Sequence, residues 1–393
     1  MRTLIKAKGI IDGNGEQLIE NGYMLIQDGV IEEVGTLTED VGNRAANVLD
    51  YSESYIMPGM IDAHTHLSIV PGDGNQLGQM RLPAATNVLR SLPNIKRNLS
   101  AGVTTMRIMG EEHFVDIEIK NGIQKGLIDG PRLLVSGKGL VASNGHGVAL
   151  TTTDGEEEMR KHARLNFAKG ADFLKLFVTG GMSSDNTSVD FCSYSRREIA
   201  AAVEEAERMG SYAAAHAHGG KGVDLCIEEG VRTIEHAAFI TENQLQKLME
   251  KDLWVIGTFS ILFHPTGIEK SDFSVPAIRD KVLRARETVA ETFNKVLSYG
   301  PNLALGTDSM HGLLHYDAEC LVNFGASNGY AIQAVTKNAA RALRLEDKVG
   351  TLEKGKLADF IVLKNNPLDD IKHLKDVTQV FKEGIKVAGS QPL

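Results

Sequence analysis

The stretch YIMPGMIDAHTHL, residues 55–67, places two histidines one residue apart at the end of an apolar run. Side chains alternate between the two faces of an extended strand, so His64 and His66 point the same way, together with Asp62. A single His-x-His pair is weak support for a metal site. Whether these histidines are ligands therefore depends on what the rest of the chain supplies.

The bulk composition predicts a soluble globular protein, with 393 residues of which 42% are hydrophobic and 24% charged. Its formal net charge of −9 argues against general nucleic-acid binding, which requires a basic face. No apolar run approaches the roughly 20 residues of a membrane helix, and the N-terminus lacks a signal-peptide core, so we expect no membrane partner and a cytoplasmic location. The three cysteines, Cys192, Cys226 and Cys320, match no metal or disulfide spacing.

The two ends of the chain read as short strands and turns. Residues 1–57 combine apolar alternation with Gly and Asn punctuation, and residues 349–393 repeat this character in GKLADFIVL and VTQVFKEGIKVAG. Neither end offers enough strands for a stable sheet, so we expect the two to pair into one small β-sandwich.

Between the ends, residues 58–348 alternate short apolar runs with helical patterns. Eight runs can be counted: MIDAHTH, VTTMRIM, RLLVSGKGL, DFLKLFVTGG, YAAAHAHG, RTIEHAAF, LWVIGTF and LALGTDS. Eightfold alternation over nearly the ~250 residues typical of the fold predicts an α/β protein of the (β/α)8 TIM-barrel type. An open doubly wound sheet is the alternative, but no glycine-rich dinucleotide turn follows the first run.

Polar residues gather at the ends of these predicted strands. The carboxyl ends of barrel strands meet on one face, where functional groups collect. Nitrogen and oxygen donors from at least four strands at one rim suit a divalent transition metal such as zinc. The residues concerned are His64 and His66 on the first strand, Lys175 on the fourth, His216 and His218 on the fifth, His236 on the sixth and Asp308 on the eighth.

Simpler structural roles are open to some of these residues. A single histidine such as His236 is more often hydrogen-bonded in a core, and Asp308 could cap the helix after its strand. Lys175 is harder to explain, because its strand should be buried on both faces and an unpaired ammonium there is costly. Its amine must be neutral, pair with a carboxylate, or react with carbon dioxide to give an anionic ligand able to bridge two metals.

Taken together, the motifs resemble the amidohydrolase superfamily of metal-dependent hydrolases over almost the whole chain. PGMIDAHTHL, the strand-four lysine, HAHG, IEH, GTDS and GTLEKGKLADFIVL occur in the family's order. FVTGG followed by SRREIAAAVEEAERMGSYAAAHAHG is similar to the imidazolonepropionase-like and Xaa-Pro dipeptidase-like branch. The resemblance implies a barrel flanked by a β-sandwich, and a binuclear metal site.

A complete ligand set for two Zn²⁺ ions follows from this resemblance. The implied ligands are His64, His66 and Asp308 for the more buried ion, His216 and His236 for the second, and N6-carboxylysine at Lys175 as the bridge. Two cations that share a water lower its pKa, so a bridging hydroxide exists at neutral pH. Asp308 would take the proton of this water and deliver it to the leaving amine.

Two further histidines are candidates for substrate contacts. His146, in VASNGHG after the third strand, is a candidate second donor to the substrate carbonyl, with an ordinary loop histidine as the alternative. His218 stands where some dipeptidases of this branch have a tyrosine, so it either contacts substrate or supports the site. Arg81 and Arg107 could pair with a carboxylate, but arginines are commonly structural and neither is assigned.

The expected activity is hydrolysis of a peptide-like C–N bond in a small-molecule substrate, either a dipeptide or an N-acyl amino acid. Cyclic amide hydrolysis and promiscuous ester, carbamate or aryl-amide cleavage are enzymatic alternatives, and a non-catalytic scaffold is the alternative of another class. The segments GGMSSDNTSVDFCS and SMHGLLHYD are expected to form loops over the barrel mouth that select substrates. We also expect a homo-oligomer, because barrels of this kind often assemble.

Overall fold

A computed structural model describes residues 2–43, 45–147, 151–183 and 187–389. The strands are β1 (Arg2–Ile11), β2 (Leu18–Gln27), β3 (Val30–Thr36), β4 (Asn47–Pro58), β5 (Met60–Thr65), β6 (Val103–Ile108), β7 (Arg132–Val135), β8 (Leu140–Val141), β9 (Leu174–Phe177), β10 (Ala213–Ala217), β11 (Thr233–His236), β12 (Trp254–Gly257), β13 (Asn302–Leu305), β14 (Phe360–Leu363), β15 (Val377–Lys382) and β16 (Ile385–Gly389). The α-helices are α1 (Gln76–Met80), α2 (Ala84–Ser100), α3 (Val115–Gln124), α4 (Gly155–Lys169), α5 (Arg196–Arg208), α6 (Gly220–Glu228), α7 (Glu242–Glu250), α8 (Ser260–Phe263), α9 (Pro276–Tyr299), α10 (Leu314–Asn323), α11 (Asn328–Ala334) and α12 (Lys337–Ala342). Within the described ranges, no helix combines the length and the apolar character needed to cross a bilayer.

The two chain ends form one seven-stranded sheet in the order β16-β15-β14-β4-β1-β2-β3. β14, from the C-terminal part, pairs antiparallel with β4, from the N-terminal part, and places Ile361 opposite Met57. The expected pairing of the two ends is therefore confirmed. This terminal sheet has its own hydrophobic cluster, in which the rings of Phe360 and Phe381 stack with centroids 4.3 Å apart.

In the middle of the chain, each of the eight predicted strand segments overlaps a strand, and the third segment overlaps two, β7 and β8. These strands form a three-stranded parallel sheet, β5-β6-β7, and a six-stranded parallel sheet that runs from β8 to β13. Neighbours follow chain order, as connections through helices produce. The α/β class is confirmed, but among the described residues strand pairing does not join the strands into one continuous closed sheet.

Isolated backbone hydrogen bonds join the two parallel sheets at their edges. At one edge, the amide of Asp308 donates to the carbonyl of His64 over 2.8 Å, and at the other, the amide of Asp172 donates to the carbonyl of Val135 over 2.7 Å. Asp62 reinforces the first edge, because its carboxylate accepts bonds from the amide and hydroxyl of the residue before Asp308, at 3.0 and 2.7 Å. The carboxyl ends of β5 and β13 are therefore held side by side.

Burial and capping explain why these segments form these elements. β5, β6, β9, β10 and β11 are buried along their whole length, as strands covered on both faces should be. Helix α5 begins with a capping box between Ser195 and Glu198, and α7 with one between Thr241 and Gln244. Each box satisfies two amide N–H groups that the first helical turn leaves unpaired.

Candidate metal centre

A cavity at the carboxyl ends of the parallel strands contains every site residue predicted from the sequence. It has about 730 Å³ of space that protein atoms do not fill, part of it open to solvent. The predicted residues that line it are His64, His66, His146, Lys175, His216, His218, His236 and Asp308. The fold thus brings together side chains that lie far apart in the sequence.

Three of these side chains form a compact donor group. One ligand atom each from His64, His66 and Asp308 can be chosen so that all three lie within 4.8 Å of one another. Nε2 of His64 is 3.4 Å and Nε2 of His66 is 3.7 Å from Oδ1 of Asp308. Two imidazole nitrogens and a carboxylate oxygen at this spacing fit a single divalent cation.

The orientation of the first two imidazoles is set by bonds on their far side. Nδ1 of His64 lies 2.7 Å from Oε2 of Glu235, and Nδ1 of His66 lies 2.9 Å from the carbonyl of Gly110. A carbonyl, like an ionised carboxylate, can only accept, so each Nδ1 carries the hydrogen and donates. The lone pair of each imidazole is then on Nε2, which faces Asp308.

Two further imidazoles face each other next to this group. The ring centroids of His216 and His236 are 4.6 Å apart, and His236 lies 4.7 Å from the ring of His64. Nε2 of His216 lies 3.2 Å from the carbonyl of Gly180, and Nδ1 of His236 lies 2.7 Å from Oγ1 of Thr258. These bonds leave Nδ1 of His216 and Nε2 of His236 as the nitrogens available to ligate a metal.

Lys175, on β9, lines the same cavity and is fully buried. Among the residues that the structure describes, its Nζ has no hydrogen-bond partner, and it lies 4.8 Å from the ring centroid of Phe177. Burial lowers the pKa of this amine to about 8, against the raising effect of Glu235 and Asp308. A buried amine that is unpaired and easily neutralised fits the expected conversion to a carboxylated ligand.

The charge state of the cluster suits metal binding. Burial lowers the pKa of the following histidines: to about 4 for His66, to about 3 for His146 and His218, and well below the usual value for His216 and His236. Neutral imidazole is the form that ligates metals. Burial alone raises the pKa of Asp308, but the hydrogen bond and charge of His64, together with His66 and Lys175, lower it below the usual range. These five imidazoles are therefore neutral, and Asp308 is an anionic carboxylate.

Unusual backbone conformations occur at two of the ligand positions. His236 and Asp308 have φ values of 72° and 48°, and Ala237 and Ser309 after them are also left-handed, at 49° and 76°. Such conformations cost non-glycine residues about 1–3 kcal/mol each and cluster at functional sites. The ends of β11 and β13 thus carry strain where the candidate ligands lie.

Two glycines of the sequence motifs allow close approach to the site. A Cβ atom at Gly306, in GTDS, would lie 2.4 Å from the backbone N of His64. A Cβ atom at Gly181, in FVTGG, would lie 2.4 Å from Nε2 of His146. Larger residues at these positions would displace the two histidines, so these glycines help place the site.

The two candidate substrate contacts lie beside the donor groups. The ring of His146 is 4.6 Å from that of His216 and 5.7 Å from that of Phe177. The ring of His218 is 5.0 Å from that of His236, and its buried Nδ1 has no hydrogen-bond partner in the described part of the chain. Both imidazoles face the cavity, so both can reach a bound molecule.

The rest of the cavity lining, which we call the roof, is largely apolar. Its lining residues include Met80, Met182, Ile261, Leu262, Ile268, Val289 and Phe293. They come from α1, from residues after β9, from α8 and the segment that follows it, and from α9. Gln76 also lines the cavity, and its buried Nε2 has no partner among the described residues.

The expected roles of the two long segments are met only in part. GGMSSDNTSVDFCS supplies Met182 and Ser183 to the cavity, while residues 184–186 lie outside the described residues. SMHGLLHYD supplies none of the residues that line the cavity. Instead, Asp317 in this segment accepts hydrogen bonds from the amides of Phe259 and Ser260, at 2.6 and 2.9 Å, and so holds the start of α8.

Two buried charged residues were missed or left unassigned from the sequence. Glu235 was missed. It directly precedes His236, and a charged residue inside a strand predicted to be buried could have marked it as part of the site. Arg107 is fully buried, with Nη2 at 2.8 and 2.9 Å from the two carboxylate oxygens of Glu235, so it pairs with the protein itself. Arg81 is exposed and does not line the cavity.

Comparison with known proteins identifies the family. Residues 55–387 match the model of the amidohydrolase family. The chain belongs to this family. It is 28% identical to ochratoxinase of Aspergillus niger over 97% of this chain and 86% of that protein, and 24% identical to imidazolonepropionase of Mesorhizobium japonicum over 88% and 87%. The crystal structure of a Xaa-Pro dipeptidase with methionine bound in its active site matches with a TM-score of 0.89 and 27% identity, over 99% of this chain and 100% of that one.

These comparisons confirm the superfamily and the branch that the sequence motifs indicated. They also confirm the enzyme class: this amidohydrolase is a hydrolase that acts on carbon–nitrogen amide bonds, rather than a non-catalytic scaffold. Divalent metal binding is general in the family, and the His-His-Asp group of this chain fits it.

Proposed function

We propose that this amidohydrolase cleaves a peptide-like C–N bond in a dipeptide or an N-acyl amino acid. The observation that carries the proposal is the single cavity in which six candidate metal ligands meet a roof of apolar side chains. The Xaa-Pro dipeptidase with bound methionine is similar over almost the whole of both chains, which supports a peptide-like substrate with an apolar side chain.

We infer that the two parallel sheets are the wall of one (β/α)8 barrel and that the terminal sheet is its flanking β-sandwich. Backbone hydrogen bonds at both meeting edges support the barrel, since they link the amide of Asp308 to His64 and that of Asp172 to Val135. The barrel places the ligand-bearing strand ends on one face, where barrel enzymes have their active sites.

The metal centre is proposed as two Zn²⁺ ions with one bridging ligand. The residues that would hold them are His64, His66 and Asp308 for one ion, His216 and His236 for the other, and carboxylated Lys175 between them. When bound, such cations polarise a scissile carbonyl and lower the pKa of a water. The 4.8 Å donor group and the unpaired Nζ of Lys175 support this assignment.

Asp308 is the proposed proton carrier. Its carboxylate is ionised, and its side chain is 21% exposed towards the cavity while Oδ1 lies 3.4 Å from His64. A carboxylate in this place can accept a proton from the attacking water and deliver it to the nitrogen of the leaving amine. His146, beside His216, is the proposed donor to the substrate carbonyl oxygen.

The remaining polar groups and the roof are proposed to bind the rest of the substrate. The apolar side chains of the roof would bury a large aliphatic or aromatic side chain, at about 25 cal/mol per Å² of apolar surface removed from water. Nε2 of Gln76 and Nδ1 of His218 are buried without partners in the described chain, so each would donate a hydrogen bond to an acceptor on the substrate.

The test is a product analysis with zinc-loaded protein and a panel of dipeptides and N-acyl amino acids. We expect two fragments from each cleaved substrate, with the fastest turnover for large apolar side chains. Cyclic amides serve as the contrast, because they give one ring-opened acid. Turnover of cyclic amides alone, with every linear substrate intact, would contradict the proposed substrate class.

A further inference from the structure

A buried charged network lies directly beneath the candidate metal centre. Glu235, on β11, contacts Nδ1 of His64, on β5, and pairs with Arg107, on β6. None of the three side chains exposes more than 1% of its surface. The network therefore links two strands of the three-stranded sheet to one strand of the six-stranded sheet across the interior.

Each nitrogen of the Arg107 guanidinium has a different task. Nη2 donates to both carboxylate oxygens of Glu235, at 2.8 and 2.9 Å, and Nη1 donates to Oγ1 of Thr233 at 3.0 Å. Nε donates to the carbonyl of Ala63 at 2.6 Å. Because Ala63 directly precedes His64, Arg107 holds both the backbone beside this histidine and the carboxylate that contacts its ring.

Stability alone is a weak reason for such an ion pair. Moving two charges out of water costs several kcal/mol each, and well-packed apolar residues of similar volume often serve as well or better. Glu235 could have been apolar, like Ile234 in the same buried strand, if it served packing only. Its contact with His64 gives a reason for a carboxylate at this position.

We propose that Glu235 is a positioning residue for the metal centre, which fixes His64 with its hydrogen on Nδ1 and its Nε2 aimed at Asp308, and that Arg107 holds Glu235 in place for this task. The inference rests on the proposed function to the extent that His64 is a metal ligand. Outer carboxylate partners of this kind are typically worth 10–100-fold in metal affinity.

Two variants separate positioning from packing. R107M leaves the carboxylate next to His64 but removes its buried counter-charge, so the protein loses stability while the contact with His64 remains. R107M/E235M removes both charges, so stability recovers towards that of the wild type, but Nδ1 of His64 loses its acceptor. T233V is the matched control, since it removes the hydroxyl that accepts from Arg107 and donates to Oε1 of Glu235, but it leaves the bond between Oε2 of Glu235 and His64 intact.

The readouts are the melting temperature of the metal-free protein, the Zn²⁺ dissociation constant by chelator competition, and the visible spectrum of the Co²⁺-substituted protein. We expect the two variants to rank in opposite orders for stability and for Zn²⁺ affinity. R107M/E235M should be more stable than R107M but should bind Zn²⁺ about 10–100-fold more weakly than the wild type, with an altered Co²⁺ spectrum. T233V stays close to the wild type in Zn²⁺ affinity. If R107M/E235M recovers both stability and Zn²⁺ affinity, the network is structural only and the proposal is wrong.

A measurement on the wild-type protein tests the same point without variants that could fail to fold. With ¹⁵N-labelled histidine, long-range ¹H–¹⁵N spectra of the metal-free protein report which ring nitrogen of His64 carries the hydrogen. We expect Nδ1–H, and Nε2–H would overturn the proposal. This result does not depend on amide cleavage. If His64 carries its hydrogen on Nδ1 but the protein hydrolyses no amide, only the proposed function is contradicted, and the positioning role of Glu235 is not.

Discussion

The two sides of the cavity are built in different ways. The floor consists of the histidines, Lys175 and Asp308 at the strand ends. It is polar and, apart from the partly exposed Asp308, buried. The Nδ1 atoms of His64 and His66 are held by Glu235 and by the carbonyl of Gly110. The roof is apolar and comes from short helices, irregular segments and one face of α9. Groups on rigid strands can be held to the accuracy that catalysis requires, whereas loops and helices can change with the substrate.

Segments next to the roof are joined by hydrogen bonds that solvent can reach. Ser271 donates to the carbonyl of Pro71 at 2.8 Å, and the amide of Asn75 donates to Oδ1 of Asp272 at 3.0 Å. The second of these bonds is exposed and the first only partly buried. Regions held by few, solvent-accessible bonds open more readily than a buried core. Changes to the floor should therefore affect the chemical step, and changes to the roof should affect substrate binding.

The largest effect is expected from Lys175→Ala. A methyl group cannot ligate a metal, so the variant should lose its bridge, most of its bound zinc and all measurable activity, while the strand remains folded. Metal analysis and turnover assays measure both losses, and short carboxylic acids added to the assay should restore part of the activity. Lys382→Ala is the control, since this partly buried lysine lies in the terminal sheet and bonds to Gly130. Full zinc content in Lys175→Ala would show that Lys175 is not a metal ligand.

The next effect is expected from Asp308→Asn. The amide keeps the shape of the side chain and a weak ligand oxygen, but it cannot accept a proton from water. We expect kcat to fall by about 10²–10⁴-fold with the fold and part of the metal retained. Steady-state kinetics and metal content check this prediction, with Asp359→Asn, at the terminal sheet, as a control. Unchanged turnover in Asp308→Asn would exclude this residue as the proton carrier.

A smaller effect is expected from His146→Phe. The substitution keeps an aromatic ring near His216 and Phe177 but removes the proposed donor to the carbonyl oxygen. Loss of such a donor typically lowers kcat by about 10²–10³-fold, and we expect little change in KM or in metal content. If KM rises while kcat is unchanged, His146 belongs with the roof in substrate binding, and the assignment to the floor is wrong.

The smallest effect is expected on the roof, from Ile268→Ala. The shorter side chain buries less apolar surface of the substrate, so KM for substrates with large apolar side chains should rise by up to about 10-fold, with kcat nearly unchanged. Substrates with small side chains should respond less. Leu127→Ala is the control, because Leu127 is 78% exposed and lies outside the cavity. A large loss of kcat in Ile268→Ala would mean that floor and roof do not act separately.

The same contrast explains how much could be predicted from the sequence. The floor was predictable, because its ligands stand at the ends of buried apolar runs, as His64 and His216 do, and such runs are visible in one sequence. The roof was not predictable, because residues such as Val289 and Phe293 look like the core-facing residues of any amphipathic helix. Their place beside the cavity depends on how α9 packs.

The buried network shows a second limit of sequence reasoning. Arg107 was considered as a partner for a substrate carboxylate, but its partner is Glu235, far away in the sequence and on another sheet. Composition and spacing carry no information about which two buried charges meet across an interior. A closed barrel was expected from eight regular segments. The third of these segments is instead divided between β7 and β8, which lie in different sheets. Strand pairing depends on local backbone geometry as well as on apolar pattern.

The central claim, that the floor is a binuclear metal centre, is tested most directly by the metal content of the purified protein. Plasma mass spectrometry should be applied before and after reconstitution with Zn²⁺ in the presence of bicarbonate, which supplies the carbon dioxide for the proposed carboxylation of Lys175. We predict about two zinc ions per chain, as a two-metal site requires. Protein that binds no divalent metal even after this reconstitution would contradict the account, because the histidines of the floor would then not be ligands.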